Sequence, residues 1–148
     1  MKNVNWLTCV CVLGLVAPVF AQQPTAAGRV KVASGSAFVV RGGTELPARA
    51  GENVFEGDVL RTGADGRLGV TLKDDTRVSL GPASDVRVDK FIYAPSEGNL
   101  ALALKIVRGA AAYVSGRIAK LSPDAVRLET PAAIVGVRGT TLAIKADE

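Results

Sequence analysis

Histidine is absent from this sequence, and its two cysteines, Cys9 and Cys11, both fall in an apolar N-terminal stretch. Without that stretch the chain holds no thiol and no imidazole. Cysteine nucleophiles, disulfides, histidine general bases, Ser-His-Asp triads and zinc or copper sites built on these ligands are then excluded. Aromatic residues are scarce as well. Beyond the N-terminal stretch there remain Phe38, Phe55, Phe91, Tyr93 and Tyr113, too scattered for a base-stacking platform. A formal net charge of +4 over 148 residues is too small for a nucleic-acid footprint. What is plentiful is aliphatic: 48% hydrophobic with 22% charged residues is a globular composition, at a length that fits one domain. A non-enzymatic protein without a cofactor is expected.

Residues 1–21, MKNVNWLTCVCVLGLVAPVFA, have the parts of a secretory signal: Lys2 ahead of a short apolar helix from Trp6 to Val16, then Pro18, then Val19 and Ala21 before a cleavage point. The apolar run falls short of the roughly 20 residues that a bilayer span needs. Cleavage before Gln22 is therefore expected, giving a periplasmic or secreted protein with no membrane span in its mature form. Residues 22–27 read as a polar linker, 28–145 as a single β domain, and 146–148 as a tail.

From Gly28 onward the apolar residues recur every second position. Val30 and Val32 alternate with Arg29 and Lys31, and Leu68, Val70 and Leu72 with Arg67, Gly69, Thr71 and Lys73. The same holds for Val78 and Leu80, for Val86 and Val88 between Asp85, Arg87 and Asp89, and for Val126 and Leu128. Alternation of this kind marks strands with one buried face. Turn residues separate the runs at Gly42-Gly43, Asp65-Gly66, Asp74-Asp75, Gly81-Pro82, Ser96-Glu97-Gly98 and Ser122-Pro123-Asp124. Asn99 to Arg108 is rich in Leu and Ala, which favour helix. Yet Leu100, Leu102, Leu104 and Ile106 keep the period of two, which predicts a strand. The fold class is all-β, either an antiparallel sandwich or a β-solenoid.

Several motifs then come into register. Gly28-Arg29-Val30 and Gly35-x-x-x-Val39 are followed by Gly57-Asp58-Val59-Leu60-Arg61-Thr62-Gly63 and by Leu72-x-Asp74-Asp75-Thr76-Arg77-Val78-x-Leu80. The chain closes on Thr130-Pro131, then Val135-Gly136-Val137-Arg138-Gly139-Thr140-Thr141-Leu142. This order, from Gly28 to Ile144, resembles the FecR domain, the periplasmic part of the iron-dicitrate type of transmembrane sensor. The resemblance implies an interaction or signalling module in the bacterial cell envelope, with no catalytic residues to transfer. The sensor's cytoplasmic sigma-factor-regulating segment and its membrane helix have no counterpart in this sequence, so sigma-factor control is not carried over. The signature positions Gly57, Asp58, Thr62, Gly63, Thr130, Pro131, Arg138, Gly139 and Thr140 are expected to serve the backbone more than a ligand.

Other constellations are weaker. Asp65, Asp74 and Asp75 lack the spacing of a calcium loop and read as solvated turns, and the glycines near Asp58 and Asp65 lack the Gly-Lys-Ser/Thr of a phosphate loop. Arg67, Lys73, Arg77 and Arg87, with Arg138, form a candidate interaction surface. Interleaving with Asp74, Asp75, Asp85 and Asp89 favours a mixed, solubilising face. The expected partner is an envelope protein, held at a sheet edge; the alternative is an anionic polysaccharide or peptidoglycan. At the closing motif a strict count of two places Arg138 beside core aliphatics, which an unpaired guanidinium does not tolerate. A bulge at Arg138-Gly139 is predicted to restore the pattern, with Val135, Val137, Thr140, Leu142 and Ile144 on one buried face.

Overall fold

A computed structural model describes residues 18–137 and 141–147 of the chain. The expected signal helix and the bulge expected at Arg138-Gly139 lie outside the described residues. Among those described, the strands are β1 (Gly28–Ser34), β2 (Ala37–Arg41), β3 (Thr44–Pro47), β4 (Asn53–Val54), β5 (Val59–Thr62), β6 (Arg67–Leu72), β7 (Arg77–Leu80), β8 (Asp85–Ala94), β9 (Asn99–Val114), β10 (Val126–Glu129), β11 (Ile134–Gly136) and β12 (Thr141–Ala146). One short helix, α1 (Arg117–Leu121), follows β9. The fold is all-β, an open and curled antiparallel sheet. A solenoid would stack parallel strands, but among the described residues parallel pairing occurs only between β9 and β10.

The curl is made by β9. Its first part, Asn99 to Arg108, pairs with β8 and carries β10 on its other side. Its last part, Gly109 to Val114, pairs with β7 and β12. The strand therefore belongs to two half-sheets: a first of β12-β9-β7-β6-β1-β4 and a second of β3-β2-β5-β8-β9-β10-β11. Gly109 marks the change. Its φ of +80° is left-handed, and a Cβ there would lie 2.2 Å from Ser84 Oγ and 2.6 Å from the Ala83 carbonyl oxygen. Only glycine brings the two backbones this close.

Both half-sheets send their alternating aliphatics into one core. Val30, Leu68, Val70, Leu72, Val78 and Leu80 from the first meet Val39, Leu60, Val86, Val88, Leu102, Leu104, Ile106 and Leu128 from the second. Each such side chain contributes about 1.5–3 kcal/mol by leaving water. The strand expected over Asn99–Arg108 is the start of β9, because Leu102, Leu104 and Ile106 all point into this core. Gly42 and Gly43, with φ of +58° and +80°, close the β2–β3 hairpin in the doubly left-handed turn that matches strand twist.

Four expectations are corrected. A bulge between Val30 and Val32 breaks the period of β1, so Val32 turns outward and is 60% exposed instead of joining Val30 in the core. Asp85 was counted as outward, but a register shift between Asp85 and Val86 brings it inside, where Arg61 and Arg108 neutralise it. Residue 146 is no tail: Ala146 ends β12, buried and paired with Gly109. The linker ends earlier than expected, since the Ala27 N–H donates to Val54 O at 2.7 Å and its carbonyl accepts from Lys73 at 2.8 Å.

On either side of the undescribed residues 138–140, the inward positions change parity. Val135 and Val137 face the core from one side, whereas Leu142 and Ile144 pack against it from the other. β11 belongs to the second half-sheet and β12 to the first.

Candidate interaction surface

Among the described residues, the motif positions hold turns. In Gly57-Asp58 the glycine has φ of +88° and the carboxylate is buried. Asp58 accepts from Arg41 through both oxygens, at 3.0 and 2.7 Å, and from the Phe55 N–H at 2.9 Å. The Arg41 guanidinium lies 4.5 Å above the Phe55 ring, and its bond to Asp58 raises its pKa above the usual arginine value. At the other end of β5, the Thr62 hydroxyl donates to Gly81 O at 2.6 Å and accepts from the Ser84 N–H at 2.9 Å. Gly63 donates to Ser36 O at 2.8 Å and accepts from Gly66 and Ala83 at 3.0 and 2.9 Å. Thr130 closes the β10–β11 hairpin: its N–H donates to Ala133 O at 2.8 Å, its hydroxyl accepts from the Ala133 N–H at 3.1 Å, and Pro131 occupies the turn.

The three aspartates weighed as a calcium set are scattered among different tasks. Asp65 is bonded by Ser36, which holds its carboxyl below the usual carboxylate range. Asp75 is exposed, with φ of +68°, and pairs with Arg117 at 3.2 Å. Asp74 was expected to be a solvated turn residue and is instead completely buried. It accepts from the Thr76 N–H at 3.2 Å, the Thr76 hydroxyl at 2.7 Å and the Ile118 N–H at 3.3 Å. Its carboxylate thus caps its own turn and the first turn of α1, a helix that the period-two reading did not foresee. Gly116 permits the contact, since a Cβ there would lie 2.3 Å from the Thr76 nitrogen.

These assignments change the electrostatics of the surface. Asp74 and Asp85 are buried, Asp75 is engaged by Arg117, and Asp89 by Arg87. The interleaved acids therefore do not neutralise the outward cations of the first half-sheet. Arg29, Lys31, Arg67, Lys73 and Arg77 have no ion pair among the described residues. Arg87 stands apart from them on β8 in the second half-sheet. Arg138 lies outside the described residues. The sequence stripe is thus divided, and Arg29 and Lys31 join the part that is free.

Strand register arranges that outer face in rows. Arg29, Thr71, Arg77, Val114 and Thr141 are successive partners across five strands. The next outward row is Val32, Gly69, Ser79, Ala112 and Ala143. Beyond it lie Arg67, paired with Ser34, and Lys145, paired with Ala110. Because the middle row is made of small side chains, it forms the floor of a groove of about 650 Å³, walled by Val32, Pro82, Arg67 and Lys145. A second depression of about 380 Å³, lined by Arg29, Lys31, Thr71, Lys73 and Asp75, continues the basic side of the face. The β1 bulge builds the wall, since without it Val32 would point inward. Sequence inspection missed the groove because its floor is assembled from five strands, and only the pairing register brings Gly69, Ser79, Ala112 and Ala143 into line.

The site and fold together define an all-β domain whose described motif residues serve turns and whose free charge borders a groove on one sheet face. A family model described as FecR protein matches residues 58–148, and the chain belongs to that family. Membership associates it with signalling or regulation at the cell envelope. The match begins at Asp58, later than the resemblance read from Gly28. The strands ahead of it nevertheless complete the same sheet, β1 against β6 and β2 against β5. No curated protein and no solved structure matches the chain. No helix among the described residues is long and apolar enough to cross a membrane.

Proposed function

We propose that this chain is an exported, non-enzymatic FecR domain that acts as a protein-interaction module in the bacterial cell envelope. The observation that supports it is the outer face of the first half-sheet, where unpaired cations border a groove floored by small residues. The buried carboxylates Asp58, Asp74 and Asp85 are engaged in turns and ion pairs, whereas on this face free charge and apolar surface coincide. Cross-linking in the periplasm followed by affinity purification tests the reading. A recurrent protein partner is expected, and a blank result at high coverage contradicts it.

The same unpaired cations favour a second reading, contact with an anionic envelope polymer. Sedimentation with purified cell-wall sacculi at low and raised salt separates the two. Retention at low salt that disappears at high salt supports the polymer, because exposed charge contacts are strongest where screening is weakest. Absence of retention at low salt removes it.

A further inference from the structure

The groove has dimensions as well as charge. Its floor row crosses five strands, from Val32 on β1 to Ala143 on β12. At about 4.8 Å between neighbouring strands this gives a length of about 19 Å. The basic rows stand two residues to either side of the floor, so about 13 Å separates Arg77 and Arg29 on one flank from Arg67 and Lys145 on the other. An extended peptide backbone fills less than half of that width. An α-helix with its side chains, about 10–12 Å across, fills it. The floor chemistry narrows the occupant further. The floor row offers one hydroxyl, Ser79, among alanine, glycine and valine residues, and the groove lining holds no aromatic ring. A sugar chain would find too few hydrogen-bond partners there. A second copy of this face would oppose cations with cations.

We propose that this groove seats an amphipathic helix of a partner protein. The helix lies across the strands with small or aliphatic side chains down, over about 13 residues at 1.5 Å per residue, and carries carboxylates along both flanks. The proposal rests on the interaction-module reading and gives it a partner chemistry. Charge complementarity sets the polarity: Arg29 and Arg77 face one line of acids and Arg67 the other, with none of the three neutralised by an ion pair among the described residues.

Fluorescence anisotropy with two synthetic helical peptides tests it. They share one Ala/Leu face and differ in flanks, Glu in one and Lys in the other. The Glu peptide should bind saturably, weaken as salt is raised, and lose about tenfold or more in affinity to the Arg67→Glu/Arg77→Glu double variant. The Lys peptide should not bind. Ala112→Trp, which fills the floor, should abolish binding without lowering the melting temperature. Should that variant lose its fold, Ala143→Trp on the edge strand β12 repeats the test. No saturable binding of the Glu peptide, or binding that a folded Trp variant leaves intact, overturns the proposal. Periplasmic cross-linking of the whole protein followed by affinity purification serves as the parallel measurement. If it captures a defined protein while the Glu peptide fails, the helix groove is wrong and the interaction module stands; if both fail, both readings fall.

Discussion

Replacing Gly109 by alanine probes the seam on which the curled sheet depends. Two costs are expected. The first is conformational: at φ of +80° a Cβ meets the neighbouring carbonyl, which costs about 1–2 kcal/mol for an L-residue. The second is contact with the opposite strand, since the new Cβ would stand 2.2 Å from Ser84 Oγ. Ser84 cannot yield freely. The single proton of its buried hydroxyl is shared between Pro82 O at 3.0 Å and Ala110 O at 3.1 Å, and its oxygen accepts from the Ala110 N–H at 2.9 Å. Displacing it strands the Ala110 amide, which adds about 1–3 kcal/mol. Gly98 provides the control, because its φ is +65° but nothing lies within 4 Å of a Cβ. Gly98→Ala should therefore show the conformational cost alone. In urea unfolding followed by circular dichroism, Gly109→Ala should lose about 2–5 kcal/mol and Gly98→Ala about 1–2 kcal/mol. Equal losses for the two variants would refute the close seam at Ser84, and with it the reason why β9 changes partners at this residue.

Asp74→Ala should destabilise by about 3–5 kcal/mol in the same assay, because it leaves the Thr76 amide, the Thr76 hydroxyl and the Ile118 amide without their acceptor. A loss below 1 kcal/mol would mean that the α1 cap is not made in solution. Tyr113 should titrate above its usual value near 10, because burial pushes the phenol up more than the Ser115 and Thr76 hydroxyls pull it down. The stabilising contribution of the neutral phenol is then complete below the unfolded pKa, and is lost as pH rises through the raised folded value. Ultraviolet titration of the folded protein against Tyr113→Phe checks the order, and a Tyr113 transition at or below the unfolded value contradicts it. Intact mass of the extracytoplasmic protein should correspond to a start at Gln22, and reducing agent should leave its melting temperature unchanged. Retention of Met1 to Ala21 would exclude cleavage.

The core was legible from the sequence wherever a strand kept its alternation unbroken. Leu68, Val70 and Leu72, or Leu102, Leu104 and Ile106, needed nothing beyond the pleat to place them inside. The misreadings share one cause. A bulge shifts parity by one residue, so Val32 moved out and Asp85 moved in, and neither bulge carries a glycine or proline to announce it. Asp74 shows a different limit. Its turn was evident, but burial came from α1 docking over it across a wide sequence gap, a tertiary contact that local turn chemistry does not encode. The free cations were visible only in part, because deciding which acids neutralise which bases requires the fold. Arg67 and Arg77 looked balanced by Asp74 and Asp85 until both acids proved to be buried on other duties.

Photo-cross-linking in living cells from Ser79, on the floor of the groove, tests the partner-binding role most directly. A discrete protein adduct is expected from position 79, none from position 87 on the other half-sheet, and loss of the adduct in the Arg67→Glu/Arg77→Glu variant. The same adduct from both positions, or none from position 79 in a folded and exported protein, would contradict a partner seated on this face.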